Sequence, residues 1–264
     1  MTHADTTSPT ETGHAKVNGL EMYYEVHAGP EAAAERPLVL LHGGGLTIDL
    51  SFSAVLPALA RSRRVVAVEF QGHGRTADID RDITVAGLAS DVVALLDELG
   101  IQQADLFGFS LGGLTALEVA VRHPERVGRL VLGSAQFTQD GYHDEIRTGD
   151  FTSPRMPGQA DFEQMVDAYA RIAPHPEHFQ ELLAKCTAAA TASLPWTPDD
   201  LRGLTAPTLL VIGDTDFVRI EHAAEMHRLI PGSELAVLPA TTHMQLTRRT
   251  SLLLPLLDEF LDAR

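Results

Sequence analysis

The chain reads as an α/β protein: a parallel sheet with helices on both faces, interrupted by a mainly helical insert. Three observations predict this. Short apolar, β-rich runs alternate with longer stretches of helical spacing. The rhythm breaks between Phe137 and Asp200 and then resumes. One of the strands runs directly into a helix through the glycine-rich turn Gly108-Phe109-Ser110-Leu111-Gly112-Gly113.

In chain order, Leu20–His27 is a strand and Pro37–Leu41 a buried strand ending at a glycine cluster. Leu50–Ala60 has the Leu and Ala spacing of a helix, and Arg64–Glu69 is again a strand. Over 84–99, Val85, Leu88, Val92, Leu95, Leu96 and Leu99 share one helical face, stopped by Gly100. Ala104–Phe109 is a strand, 114–122 a helix closed by His123-Pro124, and Val127–Gly133 a strand. After the insert come the strand 207–213, a helix over 220–229, the strand 234–238 and a last helix over 251–261. Residues 1–13, rich in Thr, Ser, Pro and Glu, are expected as a disordered tail; 14–136 and 201–264 form the core, and 137–200 the insert, a lid or cap.

Composition narrows the function. The 264 residues carry 20 Lys and Arg against 36 Asp and Glu, a net charge of −16, with 44% hydrophobic residues. That apolar fraction suffices for a full core and excludes a disordered chain. The single cysteine, Cys186, excludes a disulfide scaffold. So acidic a surface repels nucleic acid and anionic membranes. No run approaches the roughly 18 apolar residues that span a bilayer. The polar start, Met1 to Gly19, lacks the apolar core of a secretory signal. The expectation is a cytoplasmic protein.

The chemistry gathers at Gly108-x-Ser110-x-Gly112. A serine on so tight a strand-to-helix turn has strained backbone angles, and residues two away on either side must lack bulk. Such a turn exposes the hydroxyl and aims the Leu111 amide at developing negative charge. The hydroxyl needs a base, and the base an orienting acid, in the order Ser, acid, His. Of 12 histidines, His243 lies after the last strand, in Ala240-Thr241-Thr242-His243-Met244. Asp214 and Asp216 both follow the strand 207–213; Asp216 lies further past its end and is favoured to orient His243, leaving Asp214 to form the turn. His42-Gly43-Gly44-Gly45 follows another strand, and its glycines let a backbone amide, assigned to Gly44, approach an oxyanion. Neither a phosphate-cradling nor a dinucleotide-binding spacing is present there.

Together, HGGG at 42–45, GHGR at 72–75, GFSLGG at 108–113, GDTD at 213–216 and His243 resemble the α/β-hydrolase superfamily, in its small capped esterase, lactonase and C–C hydrolase branch. The resemblance covers Val17 to the final helix. It implies a mostly parallel eight-stranded sheet, a Ser110, Asp216, His243 triad, and an oxyanion hole from the amides of Gly44 and Leu111. Gly43, Gly45, Gly108 and Gly112 shape the turns. There are departures. Where many relatives read D-x-R-G-x-G-x-S, this chain has Glu69-Phe70-Gln71-Gly72-His73-Gly74-Arg75-Thr76, and Leu46-Thr47 replaces the Pro-Gly of some C–C hydrolases. Ser110 in place of Asp argues against dehalogenase and epoxide hydrolase chemistry.

The expected activity is hydrolysis of a small-molecule carboxylic ester or lactone through an acyl-enzyme, with no cofactor or metal. The alternatives are a C–C hydrolase or acyltransferase of the same fold, and a slow-turnover ligand receptor. Leu46, Phe137, Trp196, Phe217 and Met244 are the candidate substrate pocket. For Trp196, as for Phe151, Phe162 and Tyr169, the cap's own core is an equal alternative. His73 is read as a structural turn histidine, Cys186 as an inert buried thiol, and the helix bearing Glu221, His222, Glu225 and His227 as solvated. His175 and His178 lack a third ligand nearby, so metal binding is not expected. The resemblance also allows a homodimer, which no motif here specifies.

Overall fold

The computed structural model describes residues 8–29, 33–150 and 152–263. Its centre is an eight-stranded sheet ordered β1-β2-β4-β3-β5-β6-β7-β8. The strands are β1 Glu11–Val17, β2 Leu20–His27, β3 Ala33–Leu41, β4 Arg63–Val68, β5 Ala104–Phe109, β6 Val127–Gly133, β7 Thr208–Thr215 and β8 Glu234–Thr242. β1 and β2 pair antiparallel, as do β2 and β4; all other pairings are parallel. Every residue of β5 is buried, as expected for a strand covered by helices on both faces.

Strand β1 corrects the expected tail. It begins at Glu11, inside the segment 1–13, and its pairing extends back to the Thr10 amide, which donates to the Val26 carbonyl at 2.8 Å. Residues 1–7 of that expectation lie outside the described residues. The hairpin turns on Asn18-Gly19, both with positive φ (47° and 87°), the conformation that Asn-Gly accepts readily.

Ten helices complete the described chain: α1 Ile48–Phe52, α2 Leu56–Ser62, α3 Val85–Glu98, α4 Leu111–Arg122, α5 Asp144–Thr148, α6 Gln159–Ile172, α7 Phe179–Thr191, α8 Pro198–Arg202, α9 Ile220–Leu229 and α10 Thr250–Asp262. The single helix expected over 50–60 is two. Pro57, in the first turn of α2, has no amide for a continuous helix and its ring would meet the carbonyl of Ser53. Thr84 caps α3 by accepting from the Gly87 amide at 3.0 Å, and the expected apolar face is buried.

The segment between β6 and β7 is helical, with one isolated bridge, Tyr142 to Val218. Its expected end at residue 200 falls inside α8, which Thr197 caps and whose Leu201 is fully buried. Among the described residues no helix is long and apolar enough to cross a membrane.

Candidate active site

Ser110 stands between β5 and α4 with φ 54° and ψ −117°, a left-handed backbone rarely adopted by a non-glycine residue. Its surroundings over-determine it. The Ser110 amide donates to the Gly133 carbonyl at 2.8 Å, and its carbonyl accepts from Leu114 at 3.0 Å. A Cβ on Gly108 would lie 2.1 Å from the Gly112 carbonyl oxygen, and one on Gly112 would lie 2.0 Å from that of Leu41. Neither turn position can carry a side chain while α4 stays this close to β5 and to the end of β3.

β8 ends at Thr242 and delivers His243. Its Nε2 lies 3.0 Å from Ser110 Oγ and its Nδ1 lies 2.8 Å from Asp216 Oδ1. Phe217 stacks on the imidazole at 3.8 Å with an interplanar angle of 4°, and Phe109 flanks it at 5.0 Å. The ring is thus held in position as well as hydrogen-bonded.

Asp216 is fully buried. Burial opposes its ionisation, but the neighbouring His243 and several donors hold its carboxyl below the usual range. Oδ1 accepts from the Phe217 amide at 2.6 Å, and Oδ2 from the Gly213 amide at 3.2 Å and the Ser134 hydroxyl at 2.5 Å. Asp214 is solvent-facing. It accepts from the amides of Ala240 and Thr241 at 2.8 and 3.0 Å, tying the end of β7 to the end of β8 just before His243. These amide bonds, Thr241 first, lower its carboxyl below the ordinary value. Asp216 is the aspartate that reaches His243, whereas Asp214, expected to bond its own turn, bonds β8 instead.

Ser134 was not singled out by the sequence. It is fully buried at the end of β6 with φ 54°. Its hydroxyl fills the side of the Asp216 carboxylate that His243 does not use. Ser134→Ala, at the same backbone strain, is expected to lower kcat/KM by about tenfold, the value of a hydrogen bond to a charged group. Steady-state kinetics with a thermal melt would check it; an unchanged kcat/KM in a folded variant would remove Ser134 from the site.

In the HGGG turn, the Gly45 amide (φ 70°) donates to His73 Nε2 at 3.0 Å, and the Leu46 amide donates to the Gly43 carbonyl at 3.2 Å. Among the described residues, the Gly44 and Leu111 amides have no protein acceptor, and both residues line the cavity beside Ser110. His73 Nδ1 bonds the Gln71 carbonyl at 2.9 Å, so its proton sits there and Nε2 accepts. Burial pushes His73 down to about 4, which keeps it a neutral acceptor near neutral pH. His42 is likewise buried, bonding the Gly43 carbonyl at 2.8 Å and accepting from the Phe70 amide at 3.1 Å. His73 is thus structural, and it anchors the very turn that carries Gly44.

A cavity of about 490 Å³ opens over Ser110. Of the expected pocket residues, Leu46, Phe217 and Met244 line it, while Phe137 and Trp196 do not. Phe137 stacks on His222 at 4.8 Å and its amide donates to His222 Nε2 at 3.2 Å. Trp196 is buried, with its indole N–H donating to Glu118 Oε2 at 2.6 Å, so it fastens the end of the segment between β6 and β7 to α4. Tyr169 and Phe162 pack about Phe179 at 5.2 and 6.0 Å; Tyr169 and Phe179 are buried in the main core, while Phe162 is exposed. Phe151 lies outside the described residues. His222, expected on a solvated face, is 2% exposed, and burial pushes it down to about 4. His175 and His178 stack on each other at 5.1 Å beside Glu177, at the surface.

The cavity also takes residues the sequence did not suggest: Gln139, Tyr142, Arg147, Met165 and Cys186. No spacing rule signals them, because they arrive from the insert. Arg147 is already paired with Asp140 at 2.7 Å and Asp144 at 3.3 Å. Cys186 Sγ is 3.4 Å from His73 Nε2, and burial pushes its thiol up to about 12, leaving it protonated.

Comparison with known proteins agrees with this fold. A family model for the alpha/beta hydrolase fold matches residues 36–171. A 2-hydroxymuconate semialdehyde hydrolase from Pseudomonas sp. is 41% identical over 149 residues, a match spanning 53% of this chain and 50% of that protein. A pimeloyl-[acyl-carrier protein] methyl ester esterase from Neisseria meningitidis is 31% identical over 235 residues, covering 80% of this chain and 86% of the relative. The crystal structure of the enol-lactonase from Burkholderia xenovorans superposes with a TM-score of 0.75 at 22% identity, over 95% of this chain and 100% of that one, a likeness of fold. This chain belongs to the alpha/beta hydrolase fold family.

Proposed function

We propose that the protein is a serine hydrolase that cleaves a carboxylic ester or lactone through an acyl-enzyme. The observation that carries this reading is the line Ser110, His243, Asp216, with contacts of 3.0 and 2.8 Å, at the floor of a cavity beside the Gly44 and Leu111 amides. Asp216 holds His243 with its proton on Nδ1, so that Nε2 accepts the Ser110 proton. Ser110 Oγ attacks the carbonyl carbon, and the two amides receive the oxyanion. His243 then gives its proton to the leaving alkoxide. In the second half-reaction His243 takes a proton from water, the hydroxide attacks the acyl carbon, and the Ser110 alkoxide leaves with that proton. Leu46, Phe109, Leu114, Met165 and Leu183 make the cavity mainly apolar, which favours an uncharged acyl group of modest size.

A second reading is C–C bond hydrolysis, favoured by the 41% identical match to a 2-hydroxymuconate semialdehyde hydrolase, half of whose length is spanned. Gln139, Tyr142 and Arg147 would supply polar contacts for such an oxygen-rich substrate. The two readings separate in one experiment. A chain-length series of p-nitrophenyl esters and a set of lactones are assayed beside a vinylogous diketone, with products identified by mass. Turnover of the esters or lactones is the expected result. Cleavage of the diketone alone would replace this reading with the second.

A further inference from the structure

Helix α7 is a thin wall. One face, with Leu183, Cys186, Thr187 and Ala190, lines the cavity over Ser110. The opposite face, with Lys185, Ala188, Ala189 and Ala192, borders a second cavity of about 560 Å³ against the start of α3. Phe179 and Leu182 bury the N-terminal half of α7 in the core, while the middle and C-terminal half, facing the second cavity, is mostly alanine, whose side chains bury little surface.

Polar ties secure that alanine-rich part. At the C-terminal end, Gln139 Nε2 donates to the carbonyls of Ala190 and Ala192 at 2.7 and 2.6 Å. In the middle, Lys185 Nζ reaches across to the core and donates to Asp78 Oδ2 at 2.7 Å, the Arg81 carbonyl at 3.1 Å and the Ile79 carbonyl at 3.2 Å. An ammonium has three N–H donors, and here each has an acceptor. The receiving segment is itself braced: Gln71 Nε2 donates to Asp78 Oδ1 at 2.7 Å, Arg81 Nε donates to Gln71 Oε1 at 2.8 Å, and Arg81 pairs with Asp91 of α3. The next residue after Lys185, Cys186, contacts His73, the histidine that anchors the Gly45 amide. Space beside Gly45 is filled by Met165 and Leu183 of the cap.

We propose that Lys185 is a specificity-determining residue: it latches α7 down between the two cavities and so limits the length of acyl chain that the Ser110 cavity admits. The proposal rests on the ester reading above. Without the latch, α7 can lift off the 78–81 segment about its Gln139-held end, and the acyl cavity widens. Lys185 and Asp78 are only 28% and 23% exposed, so the pair is shielded in part from solvent.

The test uses Lys185→Met, which keeps the stem and removes the charge, and Lys185→Arg, which keeps the charge. Two readouts are independent. The first is alkylation of Cys186, the 1 cysteine of the chain, by iodoacetamide, followed by mass. Cys186 sits on the buried, cavity-facing side of α7, so its rate reports lifting of the helix whether or not the protein is active. The second is the ratio of kcat/KM for long over short p-nitrophenyl esters. Lys185→Met is expected to raise both by about fivefold, the opening held back by one ordered ion pair, and Lys185→Arg to stay close to the wild type. Wild-type alkylation in Lys185→Met, or faster alkylation with an unchanged ester ratio, overturns the proposal. A wild type that cleaves no ester overturns the ester reading instead, and the alkylation rate alone then decides whether Lys185 holds α7.

Discussion

Replacing Ser110 with alanine is expected to lower kcat by on the order of a million-fold on any ester the wild type accepts, while the melting temperature stays within about 2–4 °C. The hydroxyl is the atom that His243 faces at 3.0 Å, and alanine leaves no nucleophile bonded to the chain at that point. Alanine accepts the φ of 54° no worse than serine does, and the bonds to Gly133 and Leu114 are made by the backbone, so the turn keeps its shape. The amides of Gly44 and Leu111 would remain, leaving a small residual rate. The check is steady-state kinetics beside a thermal melt. Ester hydrolysis at the wild-type rate in the alanine variant would show that the chemistry lies elsewhere.

Asp216→Asn is expected to cost about four orders of magnitude in kcat, and Asp214→Asn less than about one, since exposed Asp214 touches neither Ser110 nor His243 and acts only through the β8 amides it holds. An asparagine amide can present N–H where Asp216 Oδ1 now accepts from His243 at 2.8 Å, which favours the tautomer with its proton on Nε2, facing Ser110. The other orientation brings that N–H against the Gly213 amide and the Ser134 hydroxyl, both of which now donate to Oδ2. Asp216→Asn therefore loses stability as well as rate. Folding linkage sharpens the contrast. The Asp216 carboxyl is held below its ordinary value, so its stabilising contribution is present above the unfolded-state value and is lost as pH falls through the folded one. Thermal melts of wild type and Asp216→Asn across the acid range would show the gap between them closing as pH drops. Equal kcat losses in the two asparagine variants would sink the assignment of Asp216 over Asp214.

Most of the sheet was legible because its cause is local. Buried strands such as Ala104–Phe109 are short continuous apolar runs, and α3 repeats its apolar face at helical spacing over several turns. The first strand also carries a signal in the sequence. Asn18-Gly19 between the runs Glu11–Val17 and Leu20–His27 is a hairpin signal, weakened by a first run that is mostly polar and exposed. The break between α1 and α2 was likewise encoded, in Pro57. The aromatic residues of the insert were not readable in this way. Trp196 and Phe137 suit a pocket by chemistry. Their burial against Glu118 and His222 depends on partners 78 and 85 residues away in the chain.

Residue order and type alone determined the α/β layout, the strained glycine-flanked turn at Ser110, and the placing of Asp216 and His243 beyond strand ends. Each follows from backbone sterics and from which strand runs into which loop, and a parallel sheet brings those loops to one edge. Tertiary structure alone decided the rest. It set the Ser134 hydroxyl on Asp216, turned the Gly45 amide to His73 and left that of Gly44 without a protein acceptor, and laid α7 over the cavity with Lys185 bound to Asp78. These are single polar contacts between distant segments, worth little each until packing has brought the partners together, and no periodicity in the chain announces them.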